Sequence, residues 1–164
     1  MSRDLPDGEP VESVLDRLID EDPKRKTDPP RSPARVLEAI KSSLGRDLQD
    51  LLNTRCRASS LPKGLKQLDR SIANYGIPDC VGINTGSLEN REQMRLRILS
   101  AVNTFETRLR DVSVEVSESD DPTDRTLRFR IDGVLWVNPF RQSVAYDSEL
   151  DSKMGDFHVR SRTG

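Results

Sequence analysis

The chain is 164 residues long, carries 26 Lys and Arg against 28 Asp and Glu, and takes a quarter of its residues from Leu, Ile, Val and Phe. That share exceeds the roughly 20% below which disorder is the default, yet one-third charged residues leave only a modest core, so one small folded domain is expected. The near-neutral charge discourages nucleic-acid binding. The longest apolar run, Val134 to Val137, is far short of the roughly 20 residues of a membrane span, so no direct membrane insertion is expected. One histidine, His158, and two cysteines, Cys56 and Cys80, cannot supply a metal-ligand spacing, and no cofactor is expected. Residues 1 to 20 lack the apolar stretch of a signal peptide, which points to the cytosol.

Residues 1–31 read as a flexible N-terminal segment with a short amphipathic helix over 10–21. Val11, Val14, Leu15, Leu18 and Ile19 recur at three- and four-residue intervals and fill an arc of roughly 140° on a helical wheel. A helix this short is marginal alone in water, so the stripe must dock, either on its own domain or on a partner. Behind it, Glu21 to Arg31 holds Pro23, Pro29 and Pro30 among charges and no bulky apolar residue, the composition of a linker.

Residues 32–164 read as a single α+β domain. Ser32-Pro33 supplies an N-cap and an N1 proline for a long helix whose stripe is Val36, Leu37, Ile40, Leu44, Leu48, Leu51 and Leu52. Gly45 inside it predicts a bend or the close approach of another backbone. The helix should end near Asn53 to Arg57, before a Pro62-Lys63-Gly64 turn. Leu65, Leu68 and Ile72 support a short helical turn stopped by Gly76 and Pro78. Ser87 can cap a further helix with Met94, Ile98, Ala101, Val102, Phe105 and Leu109 on one side.

From Asp111 the apolar period changes from 3.6 to 2. Val112, Val114 and Val116 alternate with polar residues, an acidic turn (Glu118 to Asp124) follows, and Leu127, Phe129 and Ile131 alternate next. Asp132-Gly133 could form a tight turn, but the odd-numbered apolar pattern continues to Leu135 and Val137, which favours one long strand with its corner at Asn138-Pro139. A third strand begins at Val144 and Tyr146, and a fourth covers Gly155 to Val159. The expected fold is therefore helices first, then a small antiparallel sheet of about four strands.

Several short segments in this order form a pattern: Ser13 to Leu18, Asp47-Leu48, Leu51 to Arg55, Asn74 to Asp79, Phe105 to Leu109, Val112 to Val114, Leu127 to Gly133 and Val144 to Asp147. The series resembles the TssE family, type VI secretion baseplate subunits related to the small wedge protein of contractile phage tails. The resemblance implies an assembly role in the cytosol at the inner face of the cytoplasmic membrane, with TssF, TssG and TssK as baseplate partners. It also implies a sheet on which the sheath proteins TssB and TssC build. The family's Glu-Pro-Arg triplet, which anchors the subunit to the wedge, corresponds here to Glu106, Thr107 and Arg108, with threonine in place of proline. A buried Glu106 and Arg108 are expected to need partners across an interface to offset desolvation. The linker behind the stripe favours docking on a partner, which would assign Val14, Leu15 and Leu18 to partner binding.

Two other classes compete with the structural one. Phage relatives have been labelled lysozyme-like, and Glu106 with Asp111 nearby could be read as a hydrolytic pair. Arg108 would favour the charged form of Glu106, however, and a general acid needs the opposite. An adaptor docking through its N-terminal helix is the other alternative.

Overall fold

The computed structural model describes residues 10–19, 24, 32–56, 66–84, 86–117, 126–138, 140–151 and 154–162. The expected linker, apart from Lys24, the Pro62-Lys63-Gly64 turn and the acidic turn after Ser117 lie outside the described residues. The elements are α1 (Val14–Leu18), α2 (Pro33–Asn53), α3 (Lys66–Asp69), a 3-10 turn (Ile72–Asn74), α4 (Leu88–Phe105), β1 (Leu109–Ser117), β2 (Leu127–Val137), β3 (Phe140–Asp151) and β4 (Asp156–Ser161).

Local chemistry sets the helix starts. The Ser32 hydroxyl accepts from the Arg35 N–H with Pro33 in the first turn, and the Ser87 hydroxyl accepts from the Asn90 N–H, so each oxygen satisfies an otherwise orphaned donor. Gly76 follows the 3-10 turn with φ of 105°, and a Cβ there would sit 2.2 Å from the Thr54 carbonyl oxygen. Only glycine fits, which explains why the chain stops its helical turn at this position.

The four strands form one antiparallel sheet in the order β1-β2-β3-β4, with α2 and α4 against its inner face. Leu44, Leu48 and Leu52 of α2, Ile98 and Val102 of α4, and Phe129, Ile131, Tyr146, Leu150 and Phe157 of the sheet are all fully buried between these two layers. Val36 and Leu37 pack at the margin of the core rather than in it. At Gly45 the close neighbour is a side chain rather than another backbone. A Cβ there would lie 3.3 Å from the Tyr146 ring, whose hydroxyl donates to the Lys41 carbonyl one turn earlier on the same helix.

β2 runs unbroken through Gly133, as the alternation predicts. The irregularity falls on β1 instead: Arg110 pairs with Val134 and Ser113 with Asp132, leaving two residues opposite Gly133, and Asp111 adopts φ of 51°. This is a β-bulge, and it lets Leu109 and Val114 both reach the core although their numbers differ in parity. β3 and β4 extend beyond the expected limits. The outer edge of β4 is covered by Gln49 and Asn53 of α2. On β1, Arg95 of α4 donates to the Val114 carbonyl.

Candidate functional site: an ion-pair corner with an outward apolar stripe

Helix α4 ends at Phe105, and the chain turns through Glu106 and Thr107 into Arg108 and β1. Glu106 is 8% exposed. Its Oε1 accepts from the Arg108 backbone N–H at 3.0 Å and from Arg108 Nε at 2.8 Å, while Oε2 accepts from a terminal guanidinium nitrogen at 2.6 Å. The carboxylate thus closes the turn and grips the guanidinium as a fork. Where proline would stiffen this corner through φ, the Glu106 side chain ties it by hydrogen bonds around Thr107.

Arg108 also bonds the Asp47 carboxylate on α2, and its other terminal nitrogen lies 3.5 Å from the Ser43 hydroxyl. The Arg108 pKa is raised, first by the hydrogen bonds to Glu106 and then, against desolvation, by the charges of Glu106 and Asp47. The partners expected from across an interface are therefore present within the chain. Two carboxylates and a hydroxyl surround one guanidinium because α2 crosses the end of α4 at this point.

Helix α1 joins the same corner through its polar side. Asp16 lies 3.2 Å from Arg46 of α2, and burial, which opposes ionisation, is outweighed by the Ser13 and Ser43 hydroxyls and the charges of Arg46 and Arg108, holding its pKa below the ordinary value. The stripe faces away from the domain. Val14 is 73% exposed, Leu15 65% and Leu18 75%. On a helix, position 16 is opposite the mean direction of 14, 15 and 18, so an inward Asp16 dictates an outward stripe. The stripe itself is not packed into the core of its own domain.

The structure thus gathers Glu106, Thr107, Arg108 and the Val14, Leu15 and Leu18 stripe around one end of α2. Sequence reasoning missed Ser43, Arg46 and Asp47 as participants. A usable signal was present, since Ser43 and Asp47 are one turn apart on the flank of the α2 stripe. Clefts lined by Lys41, Asp132 and Arg162 and by Glu115, Arg128 and Glu149 both leave out Glu106 and Asp47. Among the described residues no His, Cys, Asp and Glu cluster could hold a metal ion, and no helix is long and apolar enough to cross a membrane.

The helix-backed antiparallel sheet thus carries at one end a corner in which Arg108 ties the turn between α4 and β1 to α2. The chain belongs to the baseplate wedge protein gp25 family, whose model matches residues 38–139, from α2 through β2 and including Asp47 and the Glu106 to Arg108 corner. Among solved structures it is similar to a chain of "the baseplate complex from the type VI secretion system", with 16% identity, 77% of this chain and 97% of that chain covered, and a TM-score of 0.47. No curated protein matches.

Proposed function

We propose that the chain is a structural subunit of a type VI secretion baseplate wedge, of the TssE type, and that it helps nucleate the contractile sheath. The observation that carries this reading is the family match, which spans the Asp47, Glu106 and Arg108 cluster. In this reading TssF and TssG bind the corner formed by Glu106, Thr107 and Arg108 and cover the Val14, Leu15 and Leu18 stripe, whose exposure supports a partner there. TssK lies beside them, and the assembly sits at the inner face of the cytoplasmic membrane. TssB and TssC build on the sheet. The β1 edge is favoured for strand addition, since on β4 the Phe157 N–H and carbonyl and the Val159 N–H are already engaged by α2.

The hydrolase alternative is weaker on geometry. Both Glu106 oxygens are held by Arg108, and the second carboxylate nearby, Asp47, bonds the same guanidinium, so neither faces a sugar-binding cleft as a free acid.

Co-expression with TssF and TssG tests the proposal. A stable complex is expected, lost in Val14→Asp/Leu18→Asp and weakened in Glu106→Ala/Arg108→Ala, with sheath formation failing in the same variants. A full complement of sheaths in both variants, each verified as folded, would overturn it. Peptidoglycan cleavage that disappears in Glu106→Gln would favour the enzyme instead.

A further inference from the structure

Trp136 is the chain's only tryptophan, and on β2 it is 46% exposed. Arginines from the strands on either side flank it. The guanidinium carbon of Arg141, its cross-strand partner on β3, lies 4.0 Å from the ring centroid, and that of Arg110 on β1 lies 5.9 Å away. Both arginines are exposed.

Five arginines of the domain are joined to carboxylates, Arg46 to Asp16, Arg55 to Asp79, Arg95 to Glu92, Arg108 to Glu106 and Asp47, and Arg130 to Asp147, whereas Arg110 and Arg141 share one indole. The guanidinium groups of Arg110 and Arg141 have no such partner among the described residues. The indole is what each touches. Stacking on an aromatic face restrains a guanidinium plane through its π-system and leaves the N–H donors free in a fixed fork. Because the three side chains stand on adjacent strands, the backbone ladder fixes their spacing, and little side-chain freedom remains to be lost on binding. Tryptophan and arginine are also the side chains that carry most binding energy at protein interfaces.

We infer that Arg110, Trp136 and Arg141 form a docking platform for a short acidic segment of a partner protein, its carboxylates accepting from the two guanidinium forks while an apolar side chain covers the indole. The two guanidinium forks on the indole, without a carboxylate partner among the described residues, select carboxylates as the occupant's charged groups, and the aspartates nearby limit the site to a short segment. The positive field is confined to two side chains, with Asp111 and Asp132 close by in the same corner of β1 and β2, and the chain as a whole carries a net charge of −2. A nucleic-acid backbone needs an extended basic track instead. None of the α1 stripe residues belongs to the platform, so the inference stands whether or not the wedge reading holds.

As the only tryptophan, Trp136 reports on the platform through its own fluorescence. The full chain is titrated with an Asp- and Glu-rich decapeptide containing one leucine, with a Lys-rich peptide of the same length, and with a single-stranded DNA decamer. A saturable change in emission is expected with the acidic peptide alone. It should weaken by at least about tenfold in Arg110→Glu/Arg141→Glu, which should respond to the Lys-rich peptide instead while keeping its thermal unfolding midpoint. A Trp136→Ala chain, followed by anisotropy of a labelled acidic peptide, should lose binding as well. No response to the acidic peptide, an unchanged response in the charge-reversed variant, or tighter binding of the DNA would each overturn the proposal.

Discussion

Asn53 holds Phe157 at both ends of its peptide geometry: the Asn53 side-chain Nδ2 donates to the Phe157 carbonyl at 2.9 Å, and its Oδ1 accepts from the Phe157 N–H at 2.7 Å. One turn earlier on α2, the Gln49 Oε1 accepts from the Val159 N–H at 3.1 Å. A helix turn and a two-residue strand repeat have similar lengths, so residues four apart on α2 meet residues two apart on β4. The side-chain amide stands in for a neighbouring strand.

Replacing Asn53 by Ala leaves a donor and an acceptor of β4 without their helix partners. The expected cost is about 2 kcal/mol in chemical denaturation, with Asn53→Asp intermediate because it keeps the acceptor and loses the donor. The Asn53→Ala/Gln49→Ala variant should also self-associate through the uncovered edge, seen as a concentration-dependent shift in size-exclusion elution.

Arg108→Met should destabilise the domain more than Glu106→Gln. The first leaves a nearly buried carboxylate beside Asp47 with no cation between them, at about 2 to 3 kcal/mol, whereas the second keeps an uncharged acceptor for Arg108. The double variant should recover part of the loss, giving a coupling energy of about 1 kcal/mol or more in a double-mutant cycle.

Attachment of α1 should depend on pH in the acid range. The folded-state pKa of Asp16 lies below its ordinary 3.8, so the ionised form is favoured by docking. The stabilisation is fully present above that ordinary value and is lost as pH falls through the lower folded value. Amide chemical shifts of Arg17 and Ile19 should follow this titration, and Asp16→Asn should remove the pH dependence and leave α1 loosely held throughout.

Ser148 should be better as alanine. Its hydroxyl is buried without a hydrogen-bond partner among the described residues, on a strand position paired with Phe129 and Val159. Ser148→Ala removes that unsatisfied group and should raise stability by about 1 kcal/mol, read from the denaturation midpoint.

The helix starts were legible because Ser32, Pro33 and Ser87 act on their own next turn, and β2 was legible because its alternation runs unbroken from Leu127 to Leu135. The β1 bulge was not. Asp111 is a residue type that tolerates positive φ, yet nothing local requires it; Gly133 on the facing strand creates the opportunity. For α1, periodicity identified an apolar side but carried no information about which side meets the domain. That is decided by Arg46, 30 residues away. Glu106 and Arg108 were visible as a pair of charges, but a spacing of two within a turn does not reveal a fork, and Asp47 enters only through the crossing of α2.

The closure of β4 by Gln49 and Asn53 also bears on growth. With Phe157 and Val159 engaged by α2, the β4 edge offers fewer free main-chain groups than an open edge, which disfavours strand addition there. An array that grew from the opposite edge alone would hold one copy of this chain at the origin of each row, and the number of copies would stay constant however long the rows became.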